Sequence, residues 1–281
     1  MPSRTLSMLT VLDLFSGIGG FSYAAERLVG GFRTVAFCDS NESCRKVLRK
    51  HWPEVPVFDD VCSLTANDIK PLCPDGLSVI TAGFPCQDIS TAGRQAGYDG
   101  KRSVLFYEII RLARELQPEF LLLENVRNLL SHKNGETFQE TLFQIAKAGY
   151  DAEWAIIPAS DLGACHQRDR WWLIAYPSSK QSRCNVALST LRGGDEGDEI
   201  AMGDWCLSGA QQWLNGSTRN RPLSPNWRTY VSQPAIRGGN DGLSNRVDRL
   251  RQLGNSIVPQ VAAVPLQRIK NLAASDKLHG Q

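Results

Sequence analysis

From Leu9 to about Tyr176 the chain alternates short apolar, β-prone runs with segments whose apolar residues recur every three or four positions. That alternation is the pattern of βαβ units building a parallel sheet. The apolar runs predict strands at Leu9 to Leu14, Arg33 to Phe37, Leu77 to Thr81, Phe120 to Leu123, Ala155 to Ile157 and Trp171 to Ala175. The helical periods predict helices at Ile18 to Leu28, Glu42 to His51, Ser103 to Leu116 and Thr137 to Ala148. In the Ser103 segment, Leu105, Ile109, Leu112 and Leu116 share one face, and Arg111, Arg114 and Glu115 fall between them. Pro118 stops that helix before Phe120 opens the next strand.

After Pro177 the period is lost among Ser, Gly, Asn, Pro and Arg, an acidic cluster at Asp195 to Glu199, and Trp205, Trp213 and Trp227. The chain is therefore read as a large α/β domain over 1–176, a small irregular domain over 177–245, and a C-terminal segment over 246–281 that returns to the large domain. A helix is expected at Val261 to Leu272 in that last segment. The three tryptophans suit a mini-core better than stacking platforms.

Composition is that of a globular protein with a real core, 42% hydrophobic and 21% charged. A net charge of +2 neither demands nor excludes a polyanionic partner. The eight cysteines include no Cys-x-x-Cys pair and only four histidines accompany them, so no metal site is expected. No run reaches membrane-spanning length, and Met1 to Leu12 lacks a leader pattern. A reducing, cytoplasmic setting with no membrane partner follows as the expectation, most cysteines being small buried hydrophobes.

Three places carry candidate chemistry. Val11 to Gly20 reads strand, glycine turn, helix start, where backbone can approach a ligand closely. The segment alone is open between a nucleotide-like cofactor site and a tight turn with no ligand. The next strand closes on Asp39, ~20 residues on, where a carboxylate can accept hydrogen bonds from ribose hydroxyls. Asp59 and Asp60 follow a Val-Phe run and suit either an adenine amino group or a solvated turn. Gly83-Phe84-Pro85-Cys86-Gln87 follows the Leu77 run, so a thiol stands at the carboxyl end of a buried strand, where ligands of open α/β sheets collect. Pro85 fixes its own φ and helps aim Cys86. An inert buried cysteine is the alternative.

These segments together resemble the C5-type DNA cytosine methyltransferases. The resemblance rests on Asp13-Leu14-Phe15-Ser16-Gly17-Ile18-Gly19-Gly20, Gly83-Phe84-Pro85-Cys86-Gln87, Glu124-Asn125-Val126, Arg168-Asp169-Arg170 and Gly254-Asn255-Ser256, in the family's order across nearly the whole chain. It implies an S-adenosylmethionine-dependent, Rossmann-like, mostly parallel sheet with a small target-recognition domain at 177–245. It also implies methyl transfer to C5 of a cytosine flipped out of double-stranded DNA, in a bacterial or phage modification enzyme. Cys86 would add to C6 of the base and Glu124 would share a proton with N3. Asn125 and Val126 would shape the pocket, and Arg168 and Arg170 would steady the base or its phosphate.

Cofactor contacts implied in the same way are Phe15 on the adenine, Gly17, Gly19 and Gly20 along the methionine part, Asp39 on the ribose and Asp60 on the adenine amine. Pro85, Asn255 and Ser256 complete that set. The family more often has Glu at position 39, and its arginine motif commonly opens with Gln where this chain has His166. DNA contacts are assigned to Gln87, Ser90, Arg94, Lys101 and Arg102 in a glycine-hinged stretch, and to Arg228 and Arg237 in the recognition region. A monomer is expected, because it suits a single flipped base. RNA methylation, a catalytically silent DNA-binding protein and a nucleotide-dependent dehydrogenase are the competing readings. The last leaves the cysteine loop unexplained.

Overall fold

The computed structural model describes residues 8–85, 104–178 and 256–279. Cys86, Gln87, Ser90, Arg94, Lys101, Arg102, Arg228, Arg237 and Asn255 lie outside the described residues, as does the 177–245 region beyond Ser178.

Seven strands form one sheet: β1 (Leu9–Leu14), β2 (Phe32–Cys38), β3 (Val57–Phe58), β4 (Val79–Gly83), β5 (Phe120–Val126), β6 (Tyr150–Ile157) and β7 (Arg170–Pro177). Their spatial order is β3-β2-β1-β4-β5-β7-β6. The pairs from β3 through β5 are parallel, and β7 runs antiparallel to both of its neighbours. The order reverses between β1 and β4, which makes the carboxyl edge there a switch point where ligands of such sheets bind.

The near-continuous apolar strands follow from burial on both faces. Leu121 and Leu123 of β5 join Ile80 and Ala82 against Phe106 and Ile109 of α4 (Val104–Leu116) and Ile145 of α5 (Glu136–Lys147). Phe120 and Leu122 point the other way with Val11 and Val79. There they meet Phe21 of α1 (Gly20–Tyr23) and Val261, Leu266 and Ile269 of the C-terminal α6 (Pro259–His279). The C-terminal helix thus packs against this face of the sheet, and it is longer than expected.

Some elements depart from the expected pattern. The helix predicted over Ile18 to Leu28 is α1 continued by a π-helical stretch, Ala24–Val29. β6 begins five residues earlier than Ala155 because it is half exposed and carries Asp151 and Glu153, which interrupt its apolar run. Glu153 is held from α6 by Arg268, 3.0 Å from Nε to Oε1. β5 continues past Leu123 to Val126, so Glu124 sits within the strand, opposite Gly83 of β4 and Trp172 of β7. α2 (Glu42–His51) has its predicted bounds, and Asn41 caps it by accepting from the Ser43 and Cys44 amides. α3 (Ala66–Ile69) is a short addition, started by a Thr65/Asp68 capping box.

Candidate active site

The glycine turn leaves β1 with three residues in left-handed backbone, Phe15 (φ 52°), Gly17 (φ 55°) and Gly19 (φ 86°). Phe15 bears a side chain there, a conformation that surrounding structure has to hold and that clusters at ligand sites. Ser16 ties the turn to β2, its hydroxyl donating to the Asp13 carbonyl at 2.5 Å and accepting from the Cys38 amide at 3.2 Å. Among the described residues a Cβ at Gly17 would meet nothing within 4 Å, so the turn opens onto space.

Gly19 and Gly20 are required by close approach. A Cβ on Gly19 would stand 2.6 Å from the Trp52 ring, and one on Gly20 would stand 2.8 Å from Ile257 Cβ and 2.9 Å from the Ile257 carbonyl oxygen. Because part of that obstacle is backbone, Gly20→Ala is expected to cost about 1–3 kcal/mol, the usual penalty of overpacking. A thermal melt of the variant should fall by several degrees.

Asp39 is pulled onto the turn. Its Oδ2 accepts from the Gly17 amide at 2.7 Å and its Oδ1 from the Asn41 amide at 2.8 Å. Burial raises its pKa, and those two amides work against the rise. Asp60 is exposed and caps the following turn, accepting from the Cys62 amide at 2.9 Å. Cys38 between them is pushed up to about 12 by burial and by the nearby carboxylates of Asp39, Asp60 and Asp59, so it is an inert thiol.

The first residue of the glycine motif, to which the motif alone assigns no contact, lies beneath the turn. Asp13 is fully buried and accepts hydrogen bonds from Ser22 of α1 and Thr81 of β4, each at 2.9 Å. It joins the glycine turn to the strand that leads to Cys86. The available signal was one carboxylate inside an otherwise apolar strand. Burial raises its pKa from 3.8 to about 7 against those hydrogen bonds.

The sign of the resulting pH dependence follows directly. Below about pH 4 both folded and unfolded chains hold the proton, and Asp13 contributes nothing. As pH rises the unfolded chain releases it first, so stability falls until the folded group also ionises near pH 7. The loss is on the order of 4 kcal/mol. Urea unfolding at pH 5 and pH 8 should show this slope in the wild type, and Asp13→Asn should lack that share of it.

On the other side of the switch point, β4, β5 and β7 bring together the remaining described candidates. Glu124 Oε1 lies 3.0 Å from Arg170 Nε, with the Glu124 side chain 12% exposed. Burial raises Glu124 to about 7, while the charges of Arg170 and then Arg168 pull it down. Asn125, buried beside it, donates to the Phe84 carbonyl at 3.3 Å and accepts from the Val126 amide at 2.8 Å. The backbone that leads into Pro85 is thereby pinned at Phe84, two residues before Cys86. A Cβ on Gly83 would be 3.4 Å from Glu124 Oε2 and 3.2 Å from Ile257 Cδ1.

The two arginines diverge. Arg170 faces Glu124, whereas Arg168 (φ 39°) donates from Nη2 to the Ser256 carbonyl at 2.8 Å. Burial lowers the Arg168 pKa, and the neighbouring charge of Arg170 adds to that. Asp169, between them, pairs with Arg127 at 3.1 Å. Among the described residues no group of three or more His, Cys, Asp or Glu is placed to hold a metal, and no helix is long and apolar enough to cross a membrane.

A seven-stranded sheet of this order, with its glycine turn and buried Glu124 flanking one switch point, defines a Rossmann-like α/β methyltransferase fold. The model of the C-5 cytosine-specific DNA methylase family matches residues 9–196, and the chain belongs to that family. It is 37% identical over 164 residues to the type II methyltransferase M.CviJI of Paramecium bursaria Chlorella virus IL3A, covering 58% of this chain and 42% of that protein. To M.HhaI of Haemophilus parahaemolyticus it is 32% identical over 173 residues, 62% of this chain and 50% of that protein. The chain therefore matches about half the length of these relatives.

Two solved structures share the fold. One, from an E. coli prophage, is described as a DNA modification methyltransferase and superposes with TM-score 0.62 at 21% identity, over 95% of this chain and 99% of that one. The S. pombe Dnmt2 methyltransferase gives 0.57 at 19% identity, over 94% of this chain and 98% of the other.

Proposed function

We propose that this protein transfers a methyl group from S-adenosylmethionine to C5 of a cytosine flipped out of duplex DNA, with Cys86 as the nucleophile. The observation that carries the reading is the cluster at the ends of β4 and β5. A buried carboxyl that is half protonated near neutrality, Glu124, is gripped by Arg170 beside the backbone that leads through Pro85 to Cys86.

The residues on the cofactor side fit the donor. The turn opens at Gly17, Phe15 offers a ring at the edge of the core, and Asp39 and Asp60 supply carboxylates after β2 and β3. With both oxygens of Asp39 already accepting main-chain amides, its further bonds to ribose hydroxyls use the remaining lone pairs. S-adenosylmethionine, when bound, supplies an electrophilic methyl on a sulfonium. Gly19, Gly20, Pro85, Asn255 and Ser256 complete the proposed cradle.

On the base, the Cys86 thiolate forms a bond to C6 while Glu124 gives its proton to N3, which turns C5 into an enamine carbon able to take the methyl. Loss of the C5 proton to water then expels the thiolate, and the N3 proton returns to Glu124, which restores both the neutral ring and the acid. Arg170 keeps Glu124 oriented and neutralises it after the proton leaves. A duplex cannot present C6 to such a pocket without extruding the base. Gln87, Ser90, Arg94, Lys101 and Arg102 are assigned to that task, with 177–245, including Arg228 and Arg237, as the target-recognition domain. The protein is read as a monomeric, sequence-specific modification enzyme of a bacterium or phage, acting in the cytoplasm.

The test is incubation with tritium-labelled S-adenosylmethionine and either mixed-sequence duplex DNA or total tRNA, followed by digestion to nucleosides. Labelled 5-methyldeoxycytidine from DNA is the expected product. Label in tRNA alone would move the substrate to RNA, and no label with intact cofactor binding would leave a silent DNA-binding protein.

A further inference from the structure

We propose that Arg168 acts as a latch on the returning C-terminal segment, holding Ile257 as a wedge between the two glycine motifs, and so is a positioning residue. Its Nη2 donates to the main-chain oxygen of Ser256, 88 residues away in sequence, at 2.8 Å. A bond to a carbonyl fixes the path of the chain whatever side chain stands at 256.

The next residue shows what that path accomplishes. Ile257 fills the space that a Cβ on Gly20 would need, with its own Cβ at 2.8 Å, and its Cδ1 reaches to 3.2 Å from the Cβ position of Gly83. Gly20 begins the helix of the cofactor turn and Gly83 ends the strand that leads to Cys86, so one side chain is packed against both halves of the site. The same Gly83 position lies 3.4 Å from Glu124 Oε2 and 3.7 Å from the Phe21 ring, placing the wedge beside the acid.

The main body of α6 is held independently, by Val261, Leu266 and Ile269 in the core. The lead-in, Ser256 to Val258, packs Ile257 and Val258 at the edge of that core, and Arg168 adds a main-chain tie to it from the loop before β7. The two cations have different hydrogen-bonding partners, Glu124 for Arg170 and the Ser256 carbonyl for Arg168, and so divide their work. Arg170 serves the acid, and Arg168 serves the wall that joins cofactor and base sites. What this wall shapes rests on the methyltransferase reading, whereas the latch itself does not.

The experiment compares wild type, Arg168→Ala, Arg168→Lys, Arg170→Ala and Ile257→Ala. Hydrogen exchange is followed at the Val261 and Ala262 amides, which donate to the Val258 carbonyl and report on the lead-in. Calorimetry gives Kd for S-adenosylhomocysteine, and single-turnover methylation at saturating cofactor gives the chemical rate.

Arg168→Ala is expected to speed exchange at those amides and to raise Kd about tenfold, as for loss of one charge-assisted hydrogen bond. Its rate at saturating cofactor should fall much less than that of Arg170→Ala. Ile257→Ala should reproduce the change in Kd, and Arg168→Lys should restore part of it. Unchanged exchange and Kd in Arg168→Ala, with a collapsed chemical rate, would overturn the latch and return Arg168 to the base. If Arg168→Ala does not fold, the lysine and Ile257 variants decide the same question by the same readouts. Failure of the wild type to bind S-adenosylhomocysteine would sink the methyltransferase reading, while the exchange data would still judge the latch.

Discussion

Glu124→Gln is expected to slow methyl transfer by a factor of about 10²–10⁴ in single-turnover rapid-quench measurements, the usual contribution of a positioned general acid. The amide preserves the size of the side chain but has no acidic proton to give to N3. The pH dependence provides the sharper test. Burial holds Glu124 protonated to about pH 7 despite Arg170 and Arg168. A rate that needs the acid form should therefore decline as pH rises through that value, whereas the demand for a thiolate at Cys86 pushes the rate up. The wild type should show a bell, and the Gln variant should lose its alkaline limb. A variant that kept both its rate and that limb would remove Glu124 from the proton transfer.

Cys86→Ala should abolish turnover altogether, by a factor on the order of 10⁴ or more, as removal of a covalent nucleophile does. Without addition at C6, C5 of cytosine is too weak a nucleophile to take the methyl. The accompanying measurement is a trap. Duplex DNA with 5-fluorocytosine in place of cytosine should leave the wild type bound through a bond that survives denaturing electrophoresis, because the final step cannot remove fluorine as it removes a proton. The alanine variant should form no such complex while still binding S-adenosylhomocysteine. A trapped complex in the variant would assign the nucleophile to another residue.

Local pattern determines some elements closely and others poorly. β1 and α2 have their expected bounds because the relevant information is contiguous, a mostly apolar run in one and a capped amphipathic repeat in the other. β6 extends beyond its apolar run because Asp151 and Glu153 interrupt that run, and the partner that accommodates Glu153 is Arg268, 115 residues later. The antiparallel course of β7 likewise depends on its partners, β5 and β6, which no run of residues announces.

The site divides in the same way. Spacing and motif single out Phe15, the glycines, Asp39, Glu124 and Arg170 as candidates. They could not show that Asp39 is engaged by Gly17, or that Arg168 donates to the Ser256 carbonyl. The motif contains Asp13 but does not reveal its role, because its partners are Ser22 and Thr81, and the second of these lies 68 residues away.

The direction of β7 has a consequence for how this molecule can be rebuilt. Arg170 stands at the site, and the strand carries the chain away to Pro177, where the Ser178 amide meets the Gly149 carbonyl at 3.0 Å. Ile257 is back among Gly20 and Gly83. The exit and re-entry points are thus on opposite rims of the sheet, separated by about the length of an eight-residue strand, ~26 Å. A graft or deletion between them must retain roughly eight or more extended residues merely to bridge that gap. A tight turn joining Ser178 to Ser256 would pull Ile257 off the glycines long before it altered any choice of DNA sequence.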